Sequence, residues 1–384
     1  MRRMLTGTLV VVVLLGMLGL GAGGWYYTDE LLPAPQPADP DLEVEVVDVD
    51  TEAGTVTLAA TEGDLVDLGR VGFWTADTTL DLTDIVDVDG TTVTRTATPL
   101  GGDWPAVGDL GGATPVVWRG DPTDAFGYAF TEVVIDGPIG PLPAWRVPGA
   151  DDVDAPEDTW AVLVHGRGAG RDSMHRTLRT VHEAGVDALV VSVRNDPDAA
   201  QDPDGWGRYG DAEWEDLQAA VTYLVTEEDA RTLVPVGESQ GGSLVLSWLR
   251  RGDHVDRAAG AVLVSPLVSM RGTLDLQARN RDIPGAVIPP LLWSTRQLAN
   301  LRAGMDFAQL EHAERAAAYD VPMLVAHGTA DSTVPFDDSV TLSEARPDLV
   351  SFEVYDDVEH VREWNTDPDR FDADLLAFLD AILD

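Results

Sequence analysis

The chain has 384 residues, of which 44% are hydrophobic, enough for one large core and a smaller module. Its 67 acidic residues outnumber 25 basic residues, all of them arginine, and the formal net charge is -42. A surface of this sign repels a polyanion, so the composition argues against a nucleic-acid partner. The chain has no cysteine, which excludes disulfides, thiolate metal ligands and a cysteine nucleophile.

The N-terminal segment, residues 1–30, has the composition of a membrane anchor. It begins with two arginines and continues as an uncharged, mostly apolar run that ends at three aromatic residues, Trp25 to Tyr27. A run of this length is sufficient to cross a bilayer, with the aromatic residues at the outer interface. We therefore expect a single transmembrane helix and an extracytoplasmic body. The alternative is a cleaved signal peptide and a secreted body, since small residues near the end of the run suit a signal peptidase.

The next part of the chain contains a linker and a small β-rich module. Residues 31–41 are rich in proline and predict a stiff, extended spacer. Residues 42–124 consist of short alternating runs rich in valine and threonine, with turn signals at Gly54 and Gly90. This pattern predicts a compact all-β module. Its sequence contains no cluster of candidate catalytic residues.

From residue 125 to residue 384, apolar strands alternate with amphipathic helices. Strand-like runs such as WAVLV, TLVPV and MLVAH are separated by helix-like runs such as DAEWEDLQAAVTYLVTEE. This alternation predicts an α/β fold, in which helices cover both faces of a mostly parallel sheet. Residues 267–320 interrupt the rhythm with helical sequence around IPGAVIPP. We expect this insertion to form a cap over the edge of the sheet where ligands bind.

A candidate nucleophile lies in the sequence GESQG, where Ser239 stands between Gly237 and Gly241. The run TLVPV before it predicts a strand, and SLVLSWLRR after it predicts a helix. A sharp turn between a strand and a helix exposes a serine hydroxyl at the end of the sheet, and it needs small neighbours because its backbone is strained. The context therefore predicts a nucleophilic serine.

A serine hydroxyl needs a base, and the base needs a carboxylate to orient it. Asp331 follows the strand-like run MLVAHG, and His360 follows the next strand. The order Ser239, Asp331, His360 is the one expected for a catalytic triad on this kind of sheet. Asp356 and Asp357 are competing acids, but they lie close to His360 along the chain and are therefore the weaker candidates.

Acyl transfer also needs backbone donors for the oxyanion that forms at the carbonyl. Gln240 follows the nucleophile at the start of a helix, where the N–H group and the helix dipole favour negative charge. The second donor is expected from the loop HGRG, residues 165–168, and Arg167 is our choice. A tight loop without a catalytic part is the alternative for HGRG, and His165 is expected to shape it.

Three further residues are candidates for substrate contacts at the same edge. Arg194 follows the fourth predicted strand of this region, where a guanidinium could bind a carboxylate or phosphate. The alternative is that it pairs with a nearby acid such as Asp211 or Glu213. Trp206 and Tyr209, in the loop that follows, are candidates for lining the pocket. The histidines show no ligand spacing within one element, so no metal site is expected.

Taken together, HGRG, GESQGG, HGTADSTVP and the final His360 resemble the serine α/β-hydrolases, closest in pattern to the prolyl-oligopeptidase-like and BEM46-like hydrolases. The resemblance extends from about residue 131 to the C-terminus. It implies an eight-stranded sheet, a triad of Ser239, Asp331 and His360, and no metal or organic cofactor. Residues 42–124 are too few for the large propeller of the prolyl oligopeptidases, which argues against peptidase activity. The consecutive glycines of the lipase oxyanion loop are also missing.

The sequence therefore predicts a membrane-anchored serine hydrolase that cleaves an ester or related acyl bond of a small molecule. Two alternatives remain open. One is a peptidase or acyltransferase with the same triad, because the acyl acceptor cannot be read from sequence. The other is an inert cell-surface module in which the β-rich region binds a partner.

Overall fold

The computed structural model describes residues 2–60, 63–153 and 155–383, with side chains from residue 16 onward. In this part of the chain the strands form a closed six-stranded barrel and a separate eight-stranded sheet. The barrel is built from the β-rich region, and the sheet from the region in which strands and helices alternate.

The chain begins with one long helix, α1 (Arg2–Leu31). Much of the predicted transmembrane span falls on residues 1–15, whose side chains lie outside the described part of the structure. Among the described residues, no helix has both the length and the apolar character that crossing a membrane requires.

The barrel follows from the alternation of its strands. Alternate residues of β5, such as the fully buried Val93, point into a core that the other five strands share. This core also includes the fully buried Val56 of β2 and Leu80 of β4. All neighbours pair antiparallel in the closed order β1-β2-β5-β4-β3-β6. The barrel strands are β1 (Val44–Asp50), β2 (Thr55–Leu58), β3 (Val71–Thr75), β4 (Thr79–Asp89), β5 (Thr92–Gly101) and β6 (Leu110–Thr114). Two short helices, α2 (Asp64–Asp67) and α3 (Pro122–Phe126), accompany them.

The eight-stranded sheet has the order β14-β13-β12-β11-β9-β10-β8-β7. Strands β9 to β14 run parallel, and β8 is antiparallel to both of its neighbours. The sheet strands are β7 (Thr131–Gly137), β8 (Gly140–Val147), β9 (Thr159–Val164), β10 (Asp187–Val191), β11 (Thr232–Glu238), β12 (Ala261–Val264), β13 (Met323–Gly328) and β14 (Val350–Tyr355).

Helices cover both faces of this sheet, as continuous apolar strands require. Along β9, Val162 and Val164 join one core, whereas Ala161 and Leu163 join the core on the opposite face. The first core includes α5, α6 and α9, and the second includes α4 and α11. The helices are α4 (His175–Glu183), α5 (Trp214–Glu227), α6 (Gln240–Arg251), α7 (Met270–Asn280), α8 (Ile288–Ala303), α9 (Phe336–Ala345), α10 (Glu363–Thr366) and α11 (Pro368–Leu383).

The cap consists of α7 and α8, inserted between β12 and β13, together with the end of α1. Ser294 of α8 donates a hydrogen bond from Oγ to the Leu20 carbonyl oxygen at 3.0 Å. Gly24 lies so close to Ser294 that a Cβ atom there would collide with it. Asp29 forms an ion pair with Arg302 at 2.6 Å. The last turns of α1 therefore pack against the α/β domain.

The proline-rich segment after α1 lies along the α/β domain. The Ala34 N–H donates to the Gly205 carbonyl at 2.9 Å, and the Gly207 N–H donates to the Leu32 carbonyl at 2.7 Å. The Gln36 amide donates to the Asn195 carbonyl at 2.9 Å. These bonds tie the start of the predicted spacer to the loops at the carboxyl edge of the sheet.

Candidate active site

Ser239 stands in a sharp turn between β11 and α6, with φ 52° and ψ -112°. A non-glycine residue rarely adopts a positive φ, so the surrounding structure must hold it. A Cβ at Gly241 would collide with the Val164 carbonyl, and a Cβ at Gly237 would collide with the Gly241 backbone. The glycines on either side of Ser239 are therefore required by close backbone approach.

The structure brings the three predicted triad residues together. His360 Nε2 lies 2.8 Å from Ser239 Oγ, and His360 Nδ1 lies 2.6 Å from Asp331 Oδ2. Asp331 occupies the loop after β13, and His360 occupies the loop after β14. Asp331, rather than Asp356 or Asp357, contacts the imidazole. The distances fit a hydrogen-bonded relay from carboxylate to imidazole to hydroxyl.

Four donors surround the Asp331 carboxylate, which is buried. Oδ2 accepts from His360 and from His327, the latter at 3.0 Å, while Oδ1 accepts from the Thr333 and Val334 amides at 2.8 and 2.9 Å. Burial alone would raise the pKa of Asp331, but the hydrogen bonds and charges of the two histidines outweigh it and hold the pKa well below its ordinary value. The carboxylate is therefore ionised and fixed in orientation.

His327 is a fully buried residue at the end of β13 that contacts the triad acid. Because the carboxylate of Asp331 only accepts, His327 must carry its proton on Nε2. Its Nδ1 lies 2.7 Å from Ser339 Oγ, a hydroxyl that can donate or accept a hydrogen bond. A histidine that ends a strand-like run, as in MLVAHG, is typically buried and hydrogen-bonded, but the sequence alone does not identify its partner. In HGTAD, which begins at the end of a strand, His327 precedes Asp331 by four residues, and this spacing is the signal that could have identified the pair.

The HGRG loop passes directly beside the nucleophile. A Cβ at Gly166 would lie 3.2 Å from the Ser239 Cβ, so the loop needs glycine at this point. Arg167 and Gln240 line the same cavity as Ser239. Among the described residues, neither the Arg167 nor the Gln240 amide donates to another protein group. Both residues therefore lie at the wall of the cavity that contains Ser239, and their role as oxyanion donors stays a prediction.

His165 holds the HGRG loop through two hydrogen bonds. Its Nε2 lies 2.8 Å from Asp196 Oδ2, and its Nδ1 lies 2.8 Å from the Gly166 carbonyl oxygen. Both partners are acceptors, so both ring nitrogens carry protons. Burial lowers the pKa of His165, but the charge and hydrogen bond of Asp196 outweigh it and raise the pKa to about 9. The loop therefore rests on a buried imidazolium.

The Arg167 side chain connects the HGRG loop to the end of α1. Its guanidinium donates to the Leu31 carbonyl at 3.2 Å and to the Pro33 carbonyl, and it lies 5.0 Å from the centre of the Tyr209 ring. The Tyr209 hydroxyl donates to the same Leu31 carbonyl at 2.9 Å. The segment after α1 thus borders the candidate oxyanion site.

A cavity of about 380 Å³ opens beside Ser239 and His360. Its walls come from α1, α7, α8 and the loops after β12 and β13, and its polar side includes Gln277 and Arg281. The apolar side chains that line it include Leu31, Leu267, Met270, Leu274, Leu291 and Val334. The arrangement is a mostly apolar chamber with Ser239 and His360 in its wall, as is common for small-molecule sites.

Of the three predicted substrate contacts, only Tyr209 lines this cavity. Arg194 is buried and forms two hydrogen bonds with Asp216, at 2.8 and 2.7 Å. Trp206 packs against the cluster that contains Leu31. Arg194 and Trp206 therefore lie outside this cavity, and Arg194 follows the alternative in which it pairs with an acid. Arg194 pairs with Asp216, and not with Asp211 or Glu213, the two acids that the sequence suggested.

A mostly parallel eight-stranded sheet that carries a strained serine turn defines a class of protein, the serine α/β-hydrolases. A model of the prolyl oligopeptidase family matches residues 179–384, more than half of the chain, and the chain belongs to this family.

Individual proteins support the same class. The chain is 30% identical to the non-heme chloroperoxidase of Streptomyces lividans over 207 residues, which cover 43% of this chain and 73% of that protein. In fold it is similar to an esterase of Pyrococcus furiosus, with a TM-score of 0.54 and 18% identity over 69% of this chain and 96% of that one. It is also similar to a puromycin-hydrolyzing peptidase of Mycobacterium tuberculosis, with a TM-score of 0.52 and 20% identity over 80% of this chain and 47% of that one.

Proposed function

We propose that this serine hydrolase is an esterase that cleaves acyl esters of small molecules through an acyl-enzyme. The observation that carries the proposal is the continuous contact from Asp331 through His360 to Ser239 at the wall of an apolar cavity. Apolar surface suits an acyl chain, and the hydroxyl at its wall suits attack on the carbonyl.

In the first half-reaction, His360 Nε2 accepts the Ser239 hydroxyl proton as Oγ attacks the acyl carbon. The Asp331 carboxylate keeps the imidazole in the tautomer that accepts at Nε2, and stabilises the imidazolium that forms. The amides of Arg167 and Gln240 bind the oxyanion of the tetrahedral intermediate. The imidazolium then protonates the departing alkoxide, and the C–O bond of the ester breaks.

In the second half-reaction, a water molecule replaces the alcohol. His360 accepts a proton from this water as its oxygen attacks the acyl carbon, and the same two amides bind the second oxyanion. Collapse of the intermediate returns the proton from His360 to Ser239 Oγ and releases the carboxylic acid.

Hydrolysis of 4-nitrophenyl esters with acyl chains of two to sixteen carbons tests this proposal. We expect turnover by the wild type, with a preference for chains that fill the cavity, and loss of at least about 10³-fold in kcat for Ser239→Ala. Ser247→Ala is the matched control, because Ser247 lies in α6 outside the triad. Equal activity of wild type and Ser239→Ala, or none in either, contradicts the proposal.

Peptide hydrolysis is the second candidate, favoured by membership of the prolyl oligopeptidase family. The same triad and donors would attack an amide carbonyl, with His360 protonating the leaving amine. Parallel assays with an ester and an amide of the same acyl group separate the two activities. We expect kcat/KM for the ester to be the larger, and a larger value for a peptide amide would favour the peptidase.

A further inference from the structure

The outer faces of α1 and α8 form an exposed apolar surface, here called the α1–α8 face. The two helices pack side by side through Leu20 and Ser294. Most large hydrophobic side chains of a folded protein avoid such exposure, so an apolar patch of this kind indicates a partner. The members of the α1–α8 face, each between 51% and 79% exposed, are Met17, Leu18, Trp25, Tyr26, Trp293 and Leu301.

The acidic residues of α1 beside this face are each paired with an arginine. The two acidic residues of α1 are Asp29, 2.6 Å from Arg302, and Glu30, 3.4 Å from Arg281. The Arg302 guanidinium also lies 4.3 Å from the centre of the Trp25 ring. This pairing lowers the desolvation cost of placing the two acidic residues of α1 beside an apolar surface.

The same two helices form a wall of the active-site cavity. Tyr27 and Leu31 of α1 and Leu291 and Thr295 of α8 line the chamber that contains Ser239. The α1–α8 face and the reacting hydroxyl are therefore on opposite sides of a single helical layer. A surface that contacted this face would present its molecules at the edge of the cavity.

We propose that the α1–α8 face rests on a lipid bilayer and that the enzyme takes a lipid-borne acyl ester from that surface; this inference rests on the proposed esterase function. Tryptophan and tyrosine favour the interface between lipid and water, where one end of the side chain is apolar and the other is wet. The sequence of α1 before Trp25 has no charged residue from Met4 onward, so apolar character continues beyond the exposed patch. A zwitterionic bilayer is the favoured partner, because anionic lipid would meet the acidic body.

The absence of cysteine from the chain allows the contact to be measured directly. Leu301→Cys and Trp293→Cys, each in the full chain and labelled with an environment-sensitive fluorophore, report on the α1–α8 face. Val134→Cys is the matched control, because Val134 is 65% exposed on β7 at the edge of the sheet. In phosphatidylcholine vesicles that carry nitroxide lipid, we expect quenching of about half the emission or more at 301 and 293, and none at 134. Equal quenching at all three positions overturns the proposal.

Activity on a vesicle-borne ester tests the second part of the proposal. A variant that combines Trp25→Ser, Trp293→Ser and Leu301→Ser is expected to hydrolyse 4-nitrophenyl palmitate in phosphatidylcholine vesicles about tenfold more slowly than wild type. Hydrolysis of 4-nitrophenyl butyrate in solution should change less than twofold. Unchanged hydrolysis of both esters by the variant overturns the lipid proposal alone. Failure of wild type on both esters contradicts the esterase function itself.

A second, independent inference concerns the barrel, which contacts the segment that follows His360. The fully buried Asn365 of α10 donates from Nδ2 to the Arg70 and Pro115 carbonyls of the barrel region, both at 3.0 Å. The Arg70 N–H donates in return to the Asn365 carbonyl at 2.8 Å. Three hydrogen bonds thus attach the barrel region to a residue that lies five positions after the catalytic histidine.

The same asparagine is connected to the nucleophile turn. Arg176 donates to Asn365 Oδ1 at 3.2 Å and forms two hydrogen bonds with Glu238, at 2.8 and 2.5 Å. Glu238 directly precedes Ser239 and is buried together with Arg176. Buried charges that are paired in this way hold a defined geometry, because either partner alone would be costly to bury.

We propose that Asn365 is a positioning residue through which the barrel fixes the His360 loop relative to the Ser239 turn. The barrel then serves catalysis rather than binding a separate ligand. Arg362 supports the same contact from the rim, since its guanidinium lies 3.3 Å from Asp64 of the barrel region. Asn365 touches neither substrate nor reacting atoms, so its effect must appear through the geometry of the triad.

Asn365→Ala tests this role, with Asp64→Ala as a milder variant at the more exposed pair. We expect Asn365→Ala to lower kcat about tenfold with KM changed less than twofold, because positioning of His360 affects the transition state rather than binding. If Asn365→Ala does not fold, Asp64→Ala should still lower kcat with KM unchanged. A folded Asn365→Ala protein with wild-type kcat, or a fall in melting temperature in Asp64→Ala with kcat unchanged, overturns the proposal.

Discussion

His327 donates a hydrogen bond to the same Asp331 oxygen that accepts from His360, at 3.0 Å. The triad acid is therefore held by two histidines, one on the reactive side and one inside the protein. Because His327 is fully buried and bonded to Ser339, it cannot turn away from the carboxylate without losing a second hydrogen bond. This relationship fixes the orientation of the acid before any substrate binds.

Replacement of His327 should weaken catalysis through Asp331. His327→Leu removes the buried donor, and a hydrogen bond to a charged group contributes about 1.5–3 kcal/mol, so we expect kcat to fall at least about tenfold. His327→Gln keeps an N–H donor and serves as the matched variant, with a smaller loss. Steady-state kinetics on one ester measures both. An equal loss in the two variants would indicate that packing, and not the donated hydrogen bond, is responsible.

The buried imidazolium of His165 predicts a pH-dependent contribution to stability. Its pKa rises from the ordinary value of 6.5 to about 9 in the folded protein, since Asp196 outweighs the effect of burial. Because protonated His165 is stabilised in the folded protein, its full contribution to stability is present below pH 6.5. This contribution is lost as the pH rises through about 9. The shift corresponds to about 3 kcal/mol.

Urea denaturation of wild type and His165→Gln from pH 6 to pH 10 measures this contribution. The difference in the free energy of unfolding between the two proteins should be greatest at the acidic end and should decline toward pH 10. Because both proteins share the other titratable groups, the contributions of those groups to the free energy of unfolding cancel in the difference. A difference that is constant across the range, or that grows with pH, contradicts the assignment of a charged His165.

Gly241, two residues after Ser239, should tolerate no side chain. In Gly241→Ala the new Cβ would collide with the Val164 carbonyl, which belongs to a central strand and cannot move aside. We expect a loss of about 3 kcal/mol or more in the free energy of unfolding and loss of esterase activity. Gly285→Ala is the control, because a Cβ at Gly285 meets open space. Comparable melting temperatures for the two variants would contradict this explanation of the GESQG motif.

The hydrolase fold and the residues of the candidate site were predictable because local signals identify them. Each candidate catalytic residue lies in the turn or loop after a strand-like run, and parallel strands bring their carboxyl ends to one edge. The backbone is so crowded around Ser239 that only glycine fits at positions 237 and 241, and both glycines are visible in the sequence. These features depend on neighbours in the chain, so a single sequence was enough to find them.

Features that depend on long-range register were not predictable. Asp216 pairs with Arg194, and the acids suggested by the sequence lie just before it, because the packing of α5 on the sheet decides which acid faces the guanidinium. The β-rich pattern predicted strands but not closure, which depends on pairing between β1 and β6. The uncharged run of α1 indicated a membrane segment, and its contact with α8 through Leu20 depends on a partner that lies far away in sequence.

The central claim is that Ser239 is the nucleophile activated by His360. Labelling with a fluorophosphonate, followed by mass spectrometry of the digested protein, tests it most directly. We expect one phosphonylated peptide that carries the adduct on Ser239, and no labelling of Ser239→Ala or of His360→Ala on the same time scale. An unlabelled wild type, an adduct on another serine, or equal labelling of Ser239→Ala would contradict it.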